Sequence, residues 1–252
     1  MPLYKRLLFP CLVLALGGIF GFIDSSGLAI GAAYILLLLA ADKLLPGPLW
    51  WSLSLLASTA LAAHLLPGFG AWQLWPARQI SGDAPPYALR LSWDKLLVGL
   101  TLLSWWLGQP RQPASCPRFA WSLGLLTLVC VPLLALELGL VAWQPKWPDG
   151  LWLWLAVNLG VAVLAEELLF RGLLQTRLVG WLGIWPGIVL TALLFGAVHA
   201  PFSPLFALVA LAAGLAYGLV FHYSGRLSLA LALHGAVNLL HLLLLSYPLR
   251  VA

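Results

Sequence analysis

The chain is a succession of long apolar runs broken by short clusters of Pro, Gly, Trp and charged residues. A helix needs about 20 mostly apolar residues to cross a bilayer. Runs near that length fall at 7–23, 27–41, 49–66, 94–108, 119–142, 150–178, 184–201, 203–222 and 227–247. The pattern predicts an all-α, polytopic integral membrane protein with eight or nine transmembrane helices, eight if one short run only dips into the bilayer. Residues 67–93 interrupt the pattern. They are rich in Pro, Gly and Trp and read as an interfacial loop, with the tryptophans at headgroup depth.

Composition sharpens this reading. The chain is 62% hydrophobic and 8% charged, against about 25% charged residues in a soluble domain. Its net charge of +5 is scattered between apolar runs, which excludes a nucleic-acid surface and leaves the lipid bilayer as the expected partner. The N-terminal run follows Lys5 and Arg6, as in a signal peptide. The rest of the chain is as apolar and no A-x-A cleavage site follows, so it reads as a retained first span. With the N-terminus in the cytoplasm, Lys5, Arg6, Lys43, Arg111, Arg118, Arg177 and Arg226 fall inside. Arg78, Arg90, Lys95, Lys146 and Arg250 fall outside, a bias of the expected sign. A bacterial-type inner or plasma membrane is the expected location. Cys11, Cys116 and Cys130 form no CxxC and read as packing residues.

Few ionisable groups remain within the apolar runs: Glu137, Glu166, Glu167, Arg171, His199, His234 and His241, with His64 and His222 near span ends. Such groups are costly in a membrane and are functional by default, although polar pairs also hold helices together. Neighbours on a helix point about 100° apart, so Glu166 and Glu167 cannot share a face. Glu167 and Arg171 are four apart and can neutralise each other. Glu166 then has no charge partner on its own helix and needs another partner or a raised pKa, as a general base would show. A turn is expected at 178–187, with Pro186 in the first turn of the next helix. Glu166 and His199 both lie about 20 Å from that turn, so they should match in depth across an antiparallel hairpin. Phe195 lines the same face as His199. His234 and Asn238 are four apart and form a stacked donor pair. His241 continues that face as support.

A carboxylate, a histidine and a His/Asn donor pair suit hydrolysis of a carbonyl compound by activated water. No Ser or Cys falls beside a base, so a covalent route is disfavoured. The zincin motif H-E-x-x-H is absent. Glu166, His199 and His234 could nevertheless bind Zn2+ with a vacant position. The metal-free arrangement is preferred, because four residues then fill two roles. A membrane binding or immunity protein that has lost turnover, and a small-solute transporter, are the rival classes. A transporter would favour repeated halves and broken helices, and neither is evident.

Three segments carry a family resemblance. Glu166–Arg171 (EELLFR) resembles an E-E-x-x-x-R motif, Phe195–His199 (FGAVH) an F-x-x-x-H motif and His234–Asn238 (HGAVN) an H-x-x-x-N motif. Their order and spacing are similar to those of the CPBP family (CAAX protease and bacteriocin processing, also called Abi), which includes the type II CAAX prenyl endopeptidase. The resemblance covers 115–247, the expected protease domain. Residues 1–110 form N-terminal transmembrane helices without a family motif. It implies an intramembrane endopeptidase in which Glu166 and His199 activate water, and His234 and Asn238 form the oxyanion hole. Glu167 and Arg171 take the motif's other charged places. The implied substrate is a membrane-associated peptide or protein, prenylated or not. The family is often labelled metallopeptidase, whereas its eukaryotic branch is also described as glutamate-dependent.

Overall fold

A computed structural model describes residues 3–110 and 112–250. Arg111, which the charge bias assigns to the cytoplasmic side, lies outside the described residues. The fold is helical: α1 (Leu3–Ile19), α2 (Ser25–Leu39), α3 (Gly47–Ala62), α4 (Trp93–Trp106), α5 (Pro117–Glu137), α6 (Leu151–Leu182), α7 (Ile184–Ala197), α8 (Pro204–Ser224) and α9 (Leu227–Leu244). Four of these, α5, α6, α8 and α9, are long and apolar enough to cross a membrane, and α2 and α7 are shorter apolar helices. Large apolar side chains stay on the surface, for example Phe119, Trp121, Leu125 and Leu133 along α5. A hydrocarbon solvent accounts for such a surface, as expected of an integral membrane protein.

The expected loop at 67–93 has internal structure. Strands β1 (Ala71–Gln73) and β2 (Arg90–Ser92) form an antiparallel pair, with Trp72 opposite Leu91. Pairing satisfies backbone groups that a bare interfacial loop would leave to water. The turn expected at 178–187 is much tighter. Gly183 alone separates α6 from α7, at φ 88°, a left-handed value at which glycine has no Cβ penalty. At Gly187 a Cβ would lie 2.6 Å from the Val179 nitrogen, so glycine is what lets α7 approach α6 there.

The chain divides into two compact units. The first comprises residues 1–74, 90–110 and 157–173; in it α4 packs against α1, α2 and α3 and also against the middle of α6. Asp24 caps α2, its Oδ1 accepting from the backbone N–H groups of Ser26 and Gly27 at 2.8 and 3.0 Å. The cap satisfies donors that a helix start otherwise leaves unpaired. Tyr34 of α2 shares a buried hydrogen bond with Ser58 of α3 at 2.9 Å.

The second unit comprises residues 75–89, 111–156 and 174–252. In it α8 packs against α5, α7 and α9. Its core includes Val131, Ala135, Val209, Ala213, Leu233 and Val237. Outside the helices, a polar knot ties the loop at 81–84 to the C-terminal tail. Asp83 accepts from the Ser246 hydroxyl at 2.7 Å and pairs with Arg250 at 3.1 Å. The Tyr247 N–H donates to Ser81 Oγ at 2.9 Å. The Lys146 ammonium donates to the Leu245 carbonyl. The three cysteines are free and exposed, and Glu137 is exposed at the end of α5 rather than enclosed in a span.

The knot responds to pH. The Ser246 hydroxyl, then Arg250, holds the Asp83 carboxyl below the usual carboxylate value. Its contribution to stability is therefore present above the unfolded value, about 4, and fades as pH falls through the lower folded value. Thermal melts of Asp83→Asn in detergent are expected to lose part of the acid-side fall in midpoint that the parent shows. Parallel pH curves would contradict this.

Candidate active site

In the first unit the carboxylates are set by α6. The helix widens to five-residue hydrogen bonding at Asn158–Val163 and Leu168–Gln175, on either side of the α-helical segment Leu164–Glu167. Such bulges often mark functional positions in helices. Glu167 and Arg171 are fully buried, and Arg171 Nη1 donates to Glu167 Oε1 at 2.9 Å. Inside an apolar helix each charge offsets the desolvation of the other. Glu166 is partly buried, and Lys95 of α4 brings its Nζ to 3.6 Å from Glu166 Oε1. Sequence reasoning left Glu166 without a partner on its own helix and counted Lys95 only among the basic residues on the outer side. The partner comes from a helix far away in sequence, and a charged residue just inside an apolar run was the available signal.

The second unit holds the histidines. Phe195 is buried near the end of α7. His199 lies in the turn after α7, not within the helix as its apolar surroundings suggest. Helix α7 ends at Ala197, and the ring then turns back onto the freed carbonyls. His199 Nδ1 is 2.7 Å from the Phe195 carbonyl oxygen. A carbonyl only accepts, so Nδ1 carries a proton, and in the neutral ring Nε2 is then the acceptor. Phe195 and Phe206 flank the imidazole, with ring centroids 4.8 and 5.6 Å away.

His234 and Asn238 lie one turn apart on α9. His234 is buried. Its ring stacks on Tyr217 of α8 at 4.7 Å and 21°, and meets the edge of Phe195 at 5.9 Å. Glycine at 214 makes this packing possible, since a Cβ there would lie 2.8 Å from the Phe195 ring. A cavity of about 100 Å3 is lined by His199, His234, Asn238, His241 and Tyr217 within apolar walls from α5 and α8. That is room for a few water molecules. His241 Nε2 donates to the carbonyls of Ser246 and Pro248 at 2.9 and 2.6 Å, which ties the tail to α9. Sequence reasoning missed Tyr217, because an aromatic in an apolar helix carries no mark that distinguishes it from core.

Among the described residues, no group of three or more His, Cys, Asp or Glu side chains is placed to hold an ion.

Residues 148–240 match the family described as Rce1-like, type II CAAX prenyl endopeptidase Rce1-like. The matched stretch includes Glu166, His199, His234 and Asn238. No curated protein and no solved structure matches the chain.

The two acidic residues should differ in what their helix loses. Arg171→Met leaves Glu167 buried without its 2.9 Å partner, and the cost is expected at about 3–5 kcal/mol. Glu166→Gln removes a partly exposed charge and should cost far less. Melts in detergent that rank the two variants the other way would refute the assignment of Glu167 and Arg171 to stability.

Proposed function

We propose that the chain is an intramembrane endopeptidase that hydrolyses a peptide bond of a membrane-associated or lipid-modified protein. The observation that carries this reading is the cavity lined by His199, His234 and Asn238, within a region that matches an endopeptidase family. Glu166 takes a proton from water. His199, whose Nε2 is left as an acceptor by the bond from Nδ1 to Phe195, orients that water. Water oxygen bonds to the scissile carbonyl carbon, and the carbonyl oxygen becomes an anion. His234 and Asn238 donate to it, stabilisation worth on the order of 3–4 kcal/mol per donor in comparable sites. The C–N bond then breaks, and the proton held by Glu166 passes to the leaving amine. The apolar walls from Val131, Ala135, Val209 and Ala213 suit an apolar substrate side chain or a lipid-modified residue.

A direct assay uses purified protein in detergent micelles and internally quenched peptides, one set with an S-farnesyl cysteine and one without. Glu166→Gln is expected to fall to background while its melt stays near the parent's. Full activity in Glu166→Gln would end this mechanism. Cleavage is also expected to survive exhaustive chelation, with metal analysis of the treated sample. Activity lost and restored only by zinc would favour a metal-bound water.

We further infer that eight or nine of the helices cross the membrane, with the N-terminus in the cytoplasm of a bacterial-type inner or plasma membrane. The scattered basic residues support that orientation. A reporter fused before Lys5 should be active only in its cytoplasmic form, and the opposite result would invert the topology.

A further inference from the structure

The two carboxylates of α6 are compensated in different ways. Glu167 is locked by a direct 2.9 Å hydrogen bond from Arg171, and both side chains are fully buried. Glu166 meets its cation at 3.6 Å, with Lys95 and Glu166 side chains 25% and 22% exposed. Charge-assisted N–H···O bonds run at about 2.7–2.9 Å. The longer separation offsets the carboxylate's charge without fastening the oxygen in one such bond.

Helix α4 is built to present Lys95 there. Asp94 precedes it, is buried, and accepts the Lys95 backbone N–H through Oδ1 at 2.7 Å. Its other oxygen, Oδ2, is 2.6 Å from His64 Nδ1. His64 reaches that position with φ 59°, a left-handed conformation that a histidine seldom adopts and that costs about 1–3 kcal/mol. Asp94 is thus engaged by the imidazole and the backbone, and the Lys95 ammonium is turned to Glu166. One turn on, Gly99 faces the backbone of Ala165, where a Cβ would sit 3.5 Å from the nitrogen. The two helices therefore run close beside Glu166 itself.

We propose that Lys95 is a positioning residue of the peptidase, supplying the charge that holds Glu166 as an anionic base. This rests on the reading of Glu166 as the base. The E-E-x-x-x-R pattern does not contain it, and only the packing of α4 on α6 brings it in.

The test measures cleavage of the quenched S-farnesyl peptide by purified full-length protein, with Lys95→Met, Lys95→Arg and Glu166→Gln in parallel. Lys95→Met is expected to lower kcat by about tenfold to a hundredfold with KM little changed, the signature of a misplaced base. Lys95→Arg should recover most of that loss, because it restores the cation. A merely structural lysine would not show this split between kcat and KM. Should Lys95→Met fail to fold, Lys95→Gln is compared with Lys95→Arg in its place. Inactive Glu166→Gln together with parental kcat in the Lys95 variant overturns the role of the lysine alone. Active Glu166→Gln removes the underlying base assignment instead. An arginine variant as impaired as the neutral one, with a parental melt, also overturns the proposal.

Discussion

An ionised side chain inside an apolar helix has to be compensated from within the protein, because lipid offers no hydration. That constraint organises the first unit. Arg171 answers Glu167 from the same helix, Lys95 answers Glu166 from α4, and His64 answers Asp94 from the end of α3. The three pairs differ in reach and burial, and so in what they leave available. The Arg171 bond consumes its carboxylate oxygen in holding the helix together. Packing then follows the charges: at Gly99 α4 runs in van der Waals range of the Ala165 backbone on α6.

The second unit faces the complementary difficulty of keeping neutral polar groups in an apolar cavity. Each imidazole is fixed by what one of its nitrogens or faces must satisfy. His199 returns to a carbonyl freed at the end of α7, His234 lies flat on Tyr217, and His241 donates to the tail. The bond to a carbonyl selects the tautomer of His199, so backbone geometry decides which nitrogen can meet water. Rings from Phe195 and Phe206 leave the imidazole little freedom to turn.

The family match, at residues 148–240, begins just before α6 and ends within α9. It therefore contains the polar cluster and omits α4, which carries Lys95. The N-terminal helices are not family-matched, yet one of them supplies a cation to the Glu166 carboxylate. A polar residue outside a motif can belong to the same electrostatic arrangement, since an ion pair needs proximity and not sequence order.

Sequence alone determined the helical character and the membrane environment, because long apolar runs have no other stable solvent. It also determined the pairing of Glu167 with Arg171, which needs only helical spacing and a shared apolar surrounding. The resemblance in EELLFR, FGAVH and HGAVN was readable for the same reason: each motif lies within about one turn of chain. Other features required the tertiary structure. The pairing of Lys95 with Glu166, the stacking of Tyr217 on His234 and the position of His199 beyond the end of α7 depend on side chains that meet across helices or where a helix stops. Local periodicity carries no information about such meetings, because they are settled by which helices pack together and where a glycine lets them approach.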